Sequence, residues 1–256
     1  MPAQRRLKNL DDERLLVWKV QPFNDLYTAF QSVRDAAVPQ RPLGLITGPA
    51  GTGKTYTANV FAKNEQGVVI VTTPPRDILT PRNLLDAIAV ELDLEPGGFR
   101  TKGDLFDAIV DRLIEIKPFI IIDEADRLYP SNADLLREIA ELSRQPLCFL
   151  GCPKVEATLA RVEATHHRIG LRHSVRPVEA EDLAVALVGS YAGSDRTRRL
   201  DDVAVQAIYD CTHGNLRHVQ AILRLLYGAV DKTKNAPAEP TPQVIRALNR
   251  RFLKAA

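Results

Sequence analysis

The sequence predicts an α/β fold: a mainly parallel sheet covered by helices on both sides, then a small helical domain. Two patterns predict it. Four short apolar runs, Leu43–Thr47, Val68–Thr73, Phe119–Asp123 and Leu147–Gly151, alternate with helical patterns as far as about residue 176. Parallel strands read as unbroken apolar runs because crossover helices cover both faces. Beyond Pro177 such runs cease, and each periodic segment has helical spacing.

Taken in order, the region Leu7–Phe30 carries Leu15, Leu16, Val17, Trp18, Val20 and Phe23. It is apolar enough to pack on the core, line an adenine pocket or meet a neighbouring subunit. Thr80-Pro81 caps a helix whose Leu84, Leu85, Ile88 and Leu92 share a face. Another helix runs from about Ala133, with Leu135, Leu136, Ile139 and Leu142 in the same spacing. Ala180–Tyr191, Val203–Cys211, Asn215–Ala229 and Pro242–Leu253 read as helices, and Lys232–Thr241, with Pro237 and Pro240, as a linker. The last helix packs Ile245, Leu248 and Phe252 and turns Arg246, Arg250, Arg251 and Lys254 outward. Residues 1–40 are therefore expected to be an extension, 41–176 the α/β core, and 177–256 a helical lid domain ending in a basic helix.

Composition narrows the classes. Hydrophobic residues make up 45% of the 256 and charged residues 26%, a globular balance. A net charge of +2 does not announce a nucleic-acid binder, so any such surface is local or built by assembly. No apolar run spans a membrane, and the polar, basic start is unlike a secretory signal. Cys148, Cys152 and Cys211 lack zinc or disulfide spacing. A cytoplasmic setting fits.

The chemistry begins at Gly48-Pro49-Ala50-Gly51-Thr52-Gly53-Lys54-Thr55, a G-x-x-x-x-G-K-[ST] loop between a strand and a helix. Its glycines let backbone N–H groups and a helix N-terminus approach the phosphates of ATP. Lys54 brings a point charge to the β/γ-phosphates, and the Thr55 hydroxyl is a ligand for Mg²⁺. The apolar strand Phe119–Ile122 then ends in Asp123 and Glu124. Asp123 would hold the metal and Glu124 would act as general base on the attacking water. The letters Asp-Glu-Ala-Asp at 123–126 are also those of DEAD-box helicases. Those need a second motor domain and a Ser-Ala-Thr motif, and neither is found.

The phosphate loop, the Ile120–Leu128 run IIIDEADRL, the strand ending at Gly151-Cys152, and Gly214-Asn215-Leu216-Arg217 at a helix start together resemble the AAA+ ATPases. Arg100-Thr101-Lys102-Gly103 before a helix, with Arg168 and Arg172, narrows the likeness to the transposon target-selection group of TnsC, Mu B and TniB. The resemblance covers residue 20 to the C-terminus. It implies that Arg217 is a second sensor touching the γ-phosphate, and that Arg168 or Arg172 is an arginine finger reaching a neighbour's ATP. Cys152 would occupy the first-sensor position, where the family has a polar Asn, Thr or Ser; a thiol is a poor donor, which bears on the hydrolysis rate. Arg100, Thr101 and Lys102 match the DNA-facing loop. Unlike Mu B, the sequence has no room for a helix-turn-helix domain before the core.

The resemblance further implies an ATP-dependent, sequence-nonspecific DNA-binding ATPase that forms a filament or ring on duplex DNA. Its partners would be copies of itself, a transposase and a target-recruitment factor. Stacked subunits would multiply a few cations per protomer into salt-dependent binding. Rival readings are a helicase loader or replication-type ATPase, and a nucleotide-gated scaffold with little hydrolysis.

Overall fold

The computed structural model describes residues 21–36, 41–187, 200–228, 230–231, 236–237 and 239–255. Most of the apolar Leu7–Phe30 region and residues 188–191 of one expected helix lie outside these. The chain divides into two compact units: Asp25–Pro49 with Lys54–Val175, and Arg176–Ala256 with Ala50–Gly53 and the described residues 21–24.

In the first unit the elements follow as α1 (Gln21–Ala36, which begins in the second unit), β1 (Leu43–Thr47), α2 (Lys54–Asn64), β2 (Val68–Thr72), α3 (Pro81–Glu91) and α4 (Lys102–Ile116). They continue with β3 (Phe119–Asp123), α5 (Pro130–Ser143), β4 (Leu147–Gly151), α6 (Lys154–Leu159), α7 (Glu163–Arg168) and β5 (Ile169–Ser174). The five strands are parallel, in the order β2-β3-β4-β1-β5.

Alternation along β3 explains the apolar run. Ile120 and Ile122 face a core built with α3, α4 and α5, while Phe119 and Ile121 face one built with α1 and α2. Phe61 of α2 centres the second core, its ring 5.3 Å from Phe30 and 6.0 Å from Phe119. Each such buried side chain contributes about 2 kcal/mol. Gly44 of β1 admits α1: a Cβ there would lie 2.4 Å from a Val33 methyl.

Strand β5 was not expected. Its sequence, Ile-Gly-Leu-Arg-His-Ser, alternates buried and more exposed residues, as a sheet-edge strand does, so no apolar run announces it. Thr80 caps α3 as expected, accepting from the Asn83 N–H at 3.1 Å.

The second unit carries α8 (Ala180–Leu187), α9 (Asp202–Thr212), α10 (Leu216–Gly228) and α11 (Pro242–Ala255). Within the expected linker, β7 (Ala236–Pro237) pairs antiparallel with β6 (Val230–Asp231), so part of that segment forms a short ladder. No described helix is long and apolar enough to cross a membrane.

Candidate functional site

The ends of the phosphate loop are anchored in the sheet unit. Gly48 follows β1, and its N–H donates to the Gly151 carbonyl at the end of β4 (3.1 Å). The Lys54 ammonium donates to the Gly48 and Pro49 carbonyls at 2.8 and 2.7 Å. Burial pushes this ammonium below its ordinary value, opposed first by the Asp123 carboxylate and then by Cys152, Asp126 and Glu124. Helix α2 has no acid in its first turn to compete for an anion.

Facing it, the Thr55 hydroxyl donates to Asp123 Oδ2 at 2.8 Å, and the Glu124 N–H donates to Oδ1 at 2.8 Å. Asp123 is only 4% exposed, and burial pushes its carboxyl above the ordinary range despite these bonds. The Thr73 N–H and hydroxyl, just past β2, both donate to the Asp123 carbonyl, at 2.9 and 2.8 Å. Glu124 itself adopts a left-handed backbone (φ 56°), costly for a side-chain-bearing residue and common at functional sites. Its carboxylate lies 3.5 Å from Arg127, which also donates to the Thr73 carbonyl at 2.8 Å.

Asp126 is engaged within the sheet unit. Its Oδ1 accepts the Cys152 backbone N–H at 3.1 Å, tying the carboxylate turn to the end of β4. A Cβ on Gly151 would meet that oxygen at 3.0 Å, so the glycine permits the approach. Cys152 is half-buried, whereas Cys148 is fully buried among apolar side chains that push its thiol up.

The arc Ala50–Gly53 belongs to the helical unit. Gly51 and Gly53 have φ of +83° and +86°. The Leu216 N–H, at the start of α10, donates to the Gly51 carbonyl at 2.8 Å. Asn215 caps α10, its Oδ1 accepting from the His218 N–H at 3.2 Å. Gly214 (φ +73°) packs on the Val178 carbonyl. Arg217 stands exposed in the first turn of α10. Asn215 stands in the Gly214–Arg217 motif and Asp126 in the Ile120–Leu128 run, but the sequence pattern assigns neither of them a role of its own.

The other candidates lie elsewhere in the sheet unit. Arg100, Thr101 and Lys102 are exposed at the start of α4. Thr101 is its N-cap, in a reciprocal box with Asp104 (3.0 and 3.1 Å). Arg82 of α3 braces the preceding loop through the Pro96, Phe99 and Thr101 carbonyls at 2.9, 3.3 and 3.2 Å. Arg168, ending α7, is paired with Glu141 of α5, which also holds Arg137. Arg172 on β5 donates to the His166 carbonyl at 3.3 Å.

A family model described as an AAA domain matches residues 38–159. A potential ATP-binding protein of Staphylococcus aureus is 22% identical over 244 residues, covering 80% of this chain and 86% of the relative. The ATP-dependent target DNA activators B of Escherichia phages D108 and Mu are each 26% identical over 201 residues, 76% of this chain and 62% of theirs. The chain thus spans less than two thirds of those activators. The ORC2 protein of Aeropyrum pernix superposes with a TM-score of 0.63 at 14% identity, covering 91% of this chain and 67% of ORC2. The ORC1 protein of the same organism, solved in complex with DNA, gives 0.61 at 18%, covering 90% and 64%. The phosphate loop, the parallel sheet and these likenesses agree on an AAA domain over residues 38–159, in a chain similar to the ATP-dependent target DNA activators B.

Proposed function

We propose that the chain binds ATP with Mg²⁺, hydrolyses it, and in its ATP form assembles on duplex DNA to select target DNA for a transposase. The observation that carries the nucleotide part is the Thr55–Asp123 pair beside Lys54. A hydroxyl and a carboxylate 2.8 Å apart are hard oxygen donors. Adjacent ligands of an octahedral Mg²⁺ stand roughly 3 Å apart, so the pair fits that ion. The ion would neutralise phosphate charge, and Lys54 would leave the loop carbonyls for the β/γ-phosphates. Glu124 would then accept a proton from the attacking water.

The remaining roles are assigned in the same spirit. Residues 1–40 are an extension, 41–176 the ATPase core, and 177–256 the lid, with Arg217 sensing the γ-phosphate. Arg172 suits the finger better than Arg168, because Glu141 already holds Arg168. Likeness to target DNA activators supports the DNA reading, and exposed Arg100 and Lys102 supply cations for phosphate contacts. Self-assembly, a transposase partner and a cytoplasmic location complete the proposal.

Phosphate release, measured with and without duplex DNA beside Glu124→Gln, tests it. Wild type is expected to exceed the variant by roughly 100-fold or more while both bind ATP. Equal rates would remove hydrolysis and favour a nucleotide-gated scaffold, the reading that the weakly donating Cys152 thiol supports. Electron microscopy with ATP and DNA is expected to show filaments or rings; dispersed particles would remove the assembly claim.

A further inference from the structure

The arc of the phosphate loop contains a peptide that can turn over cheaply. Gly51 sits at φ +83° with no Cβ, so the Gly51–Thr52 peptide meets little steric resistance to rotation. Its orientation matters because a trans peptide points its C=O and N–H in opposite directions. An anion cradle uses N–H groups, and a flipped peptide would present a carbonyl oxygen to the phosphate instead.

Two groups at the start of α10 hold that peptide. The Leu216 N–H donates to the Gly51 carbonyl at 2.8 Å, which sends the Thr52 N–H away from α10. The Asn215 carboxamide lies over the Gly51 Cα: its Oδ1, Cγ and Nδ2 are 2.2, 2.4 and 2.6 Å from where a Cβ at position 51 would stand. The same Oδ1 accepts the His218 N–H at 3.2 Å, so the carboxamide is braced by its own helix. Leu216 adds an apolar contact, with Cδ1 3.2 Å from the Cβ position of Gly53.

We infer that Asn215 is a positioning residue for the phosphate loop. Packed on Gly51 and fixed as the N-cap of α10, it keeps the Gly51 carbonyl on the Leu216 N–H and so keeps the Gly51–Thr52 peptide in its donor-presenting orientation. The role acts through the loop and requires no contact between Asn215 and nucleotide. It rests on the proposal that this loop binds ATP. Because Arg217 lies two residues further along the same helix, the side chain at 215 also sets where α10 begins relative to the arc.

Asn215→Ser tests this in the full chain. Serine retains a capping oxygen for the His218 N–H but leaves Gly51 uncovered. The melting temperature is expected to stay within about 2 °C, since the cap survives. The Kd for a fluorescent ATP analogue and the KM for ATP are expected to rise about tenfold, with kcat within about twofold. Asn215→Ala should show the same affinity loss together with a lower melting temperature. Unchanged Kd in Asn215→Ser, or a fall in kcat at constant KM, overturns the inference. Should wild type itself fail to bind the analogue, the nucleotide reading falls and takes this inference with it; wild-type binding matched by the serine variant overturns the inference alone.

Discussion

The ends of the phosphate loop and its arc are built on different principles. Gly48, Lys54 and Thr55 are held by the strand before, the helix after, and Asp123 at the end of β3, which β4 separates from β1 in the sheet. The arc Ala50–Gly53 instead hangs on a backbone N–H and a carboxamide at the start of α10, more than 160 residues later in the sequence. One anchorage is embedded among the three fully buried strands β1, β3 and β4. The other depends on a few contacts made by a helix terminus.

The sharpest way to break that contrast is Gly214→Ala. A Cβ there would lie 1.9 Å from the Val178 carbonyl oxygen, on a residue whose φ is +73°. Relief requires moving either α10 or the backbone at Val178, at a cost of about 3 kcal/mol. Loss of the Leu216–Gly51 bond should follow, visible as a much lower melting temperature and weakened ATP binding. Gly97→Ala, where a Cβ meets open space, should change stability by less than about 0.5 kcal/mol.

Asp123 probes the carboxylate half. Its carboxyl is raised by burial, so its contribution to folding is fully present below the ordinary carboxylate value of about 4 and is lost as pH rises through the raised value. Nucleotide-free Asp123→Asn should therefore be more stable than wild type at neutral pH, and the gap should close in acid. Chemical denaturation from pH 4 to 7.5 measures it, and a gap independent of pH would contradict the assignment. Magnesium-dependent ATP binding should fall in the same variant.

A smaller effect is expected at Asp126. Removing its carboxylate leaves the half-buried Cys152 N–H without its acceptor, so Asp126→Ala should cost about 1 kcal/mol. Asp126→Asn, which keeps an acceptor oxygen, should recover most of it in a thermal melt.

Much of this was legible because local chemistry and tertiary role coincide. Ile120–Ile122 read as a buried strand because the sheet is covered on both faces, and Gly48–Thr55 read as a phosphate loop because its spacing is dictated by the anion. Strand β5 was hidden because Arg172 and Ser174 are exposed at a sheet edge and interrupt any apolar run. The second acceptor in the carboxylate turn, Asp126, was hidden for another reason: its partner is a backbone N–H, which no residue type advertises. Asn215 illustrates the same limit, since its neighbour at position 51 is recognised by the absence of a side chain.

The smallest stability effect is expected where the sequence grouped three residues as one DNA-facing stretch. In the structure they separate. Thr101 is the N-cap of α4 and accepts from the Asp104 N–H at 3.0 Å, so Thr101→Ala should cost about 1 kcal/mol whether or not DNA is present. Arg100 and Lys102 are exposed and adjoin the cap without forming it. Replacing both with alanine should leave the melting temperature within about 1 °C. The DNA effect should be of another kind. Losing two phosphate contacts per protomer lowers the slope of log affinity against log salt by about 2 for each protomer on the duplex, uniformly across sequences. Binding titrations on two unrelated duplexes at several salt concentrations measure this. An unchanged slope would remove Arg100 and Lys102 from the interface, while a sequence-dependent loss would mean that they read bases rather than backbone.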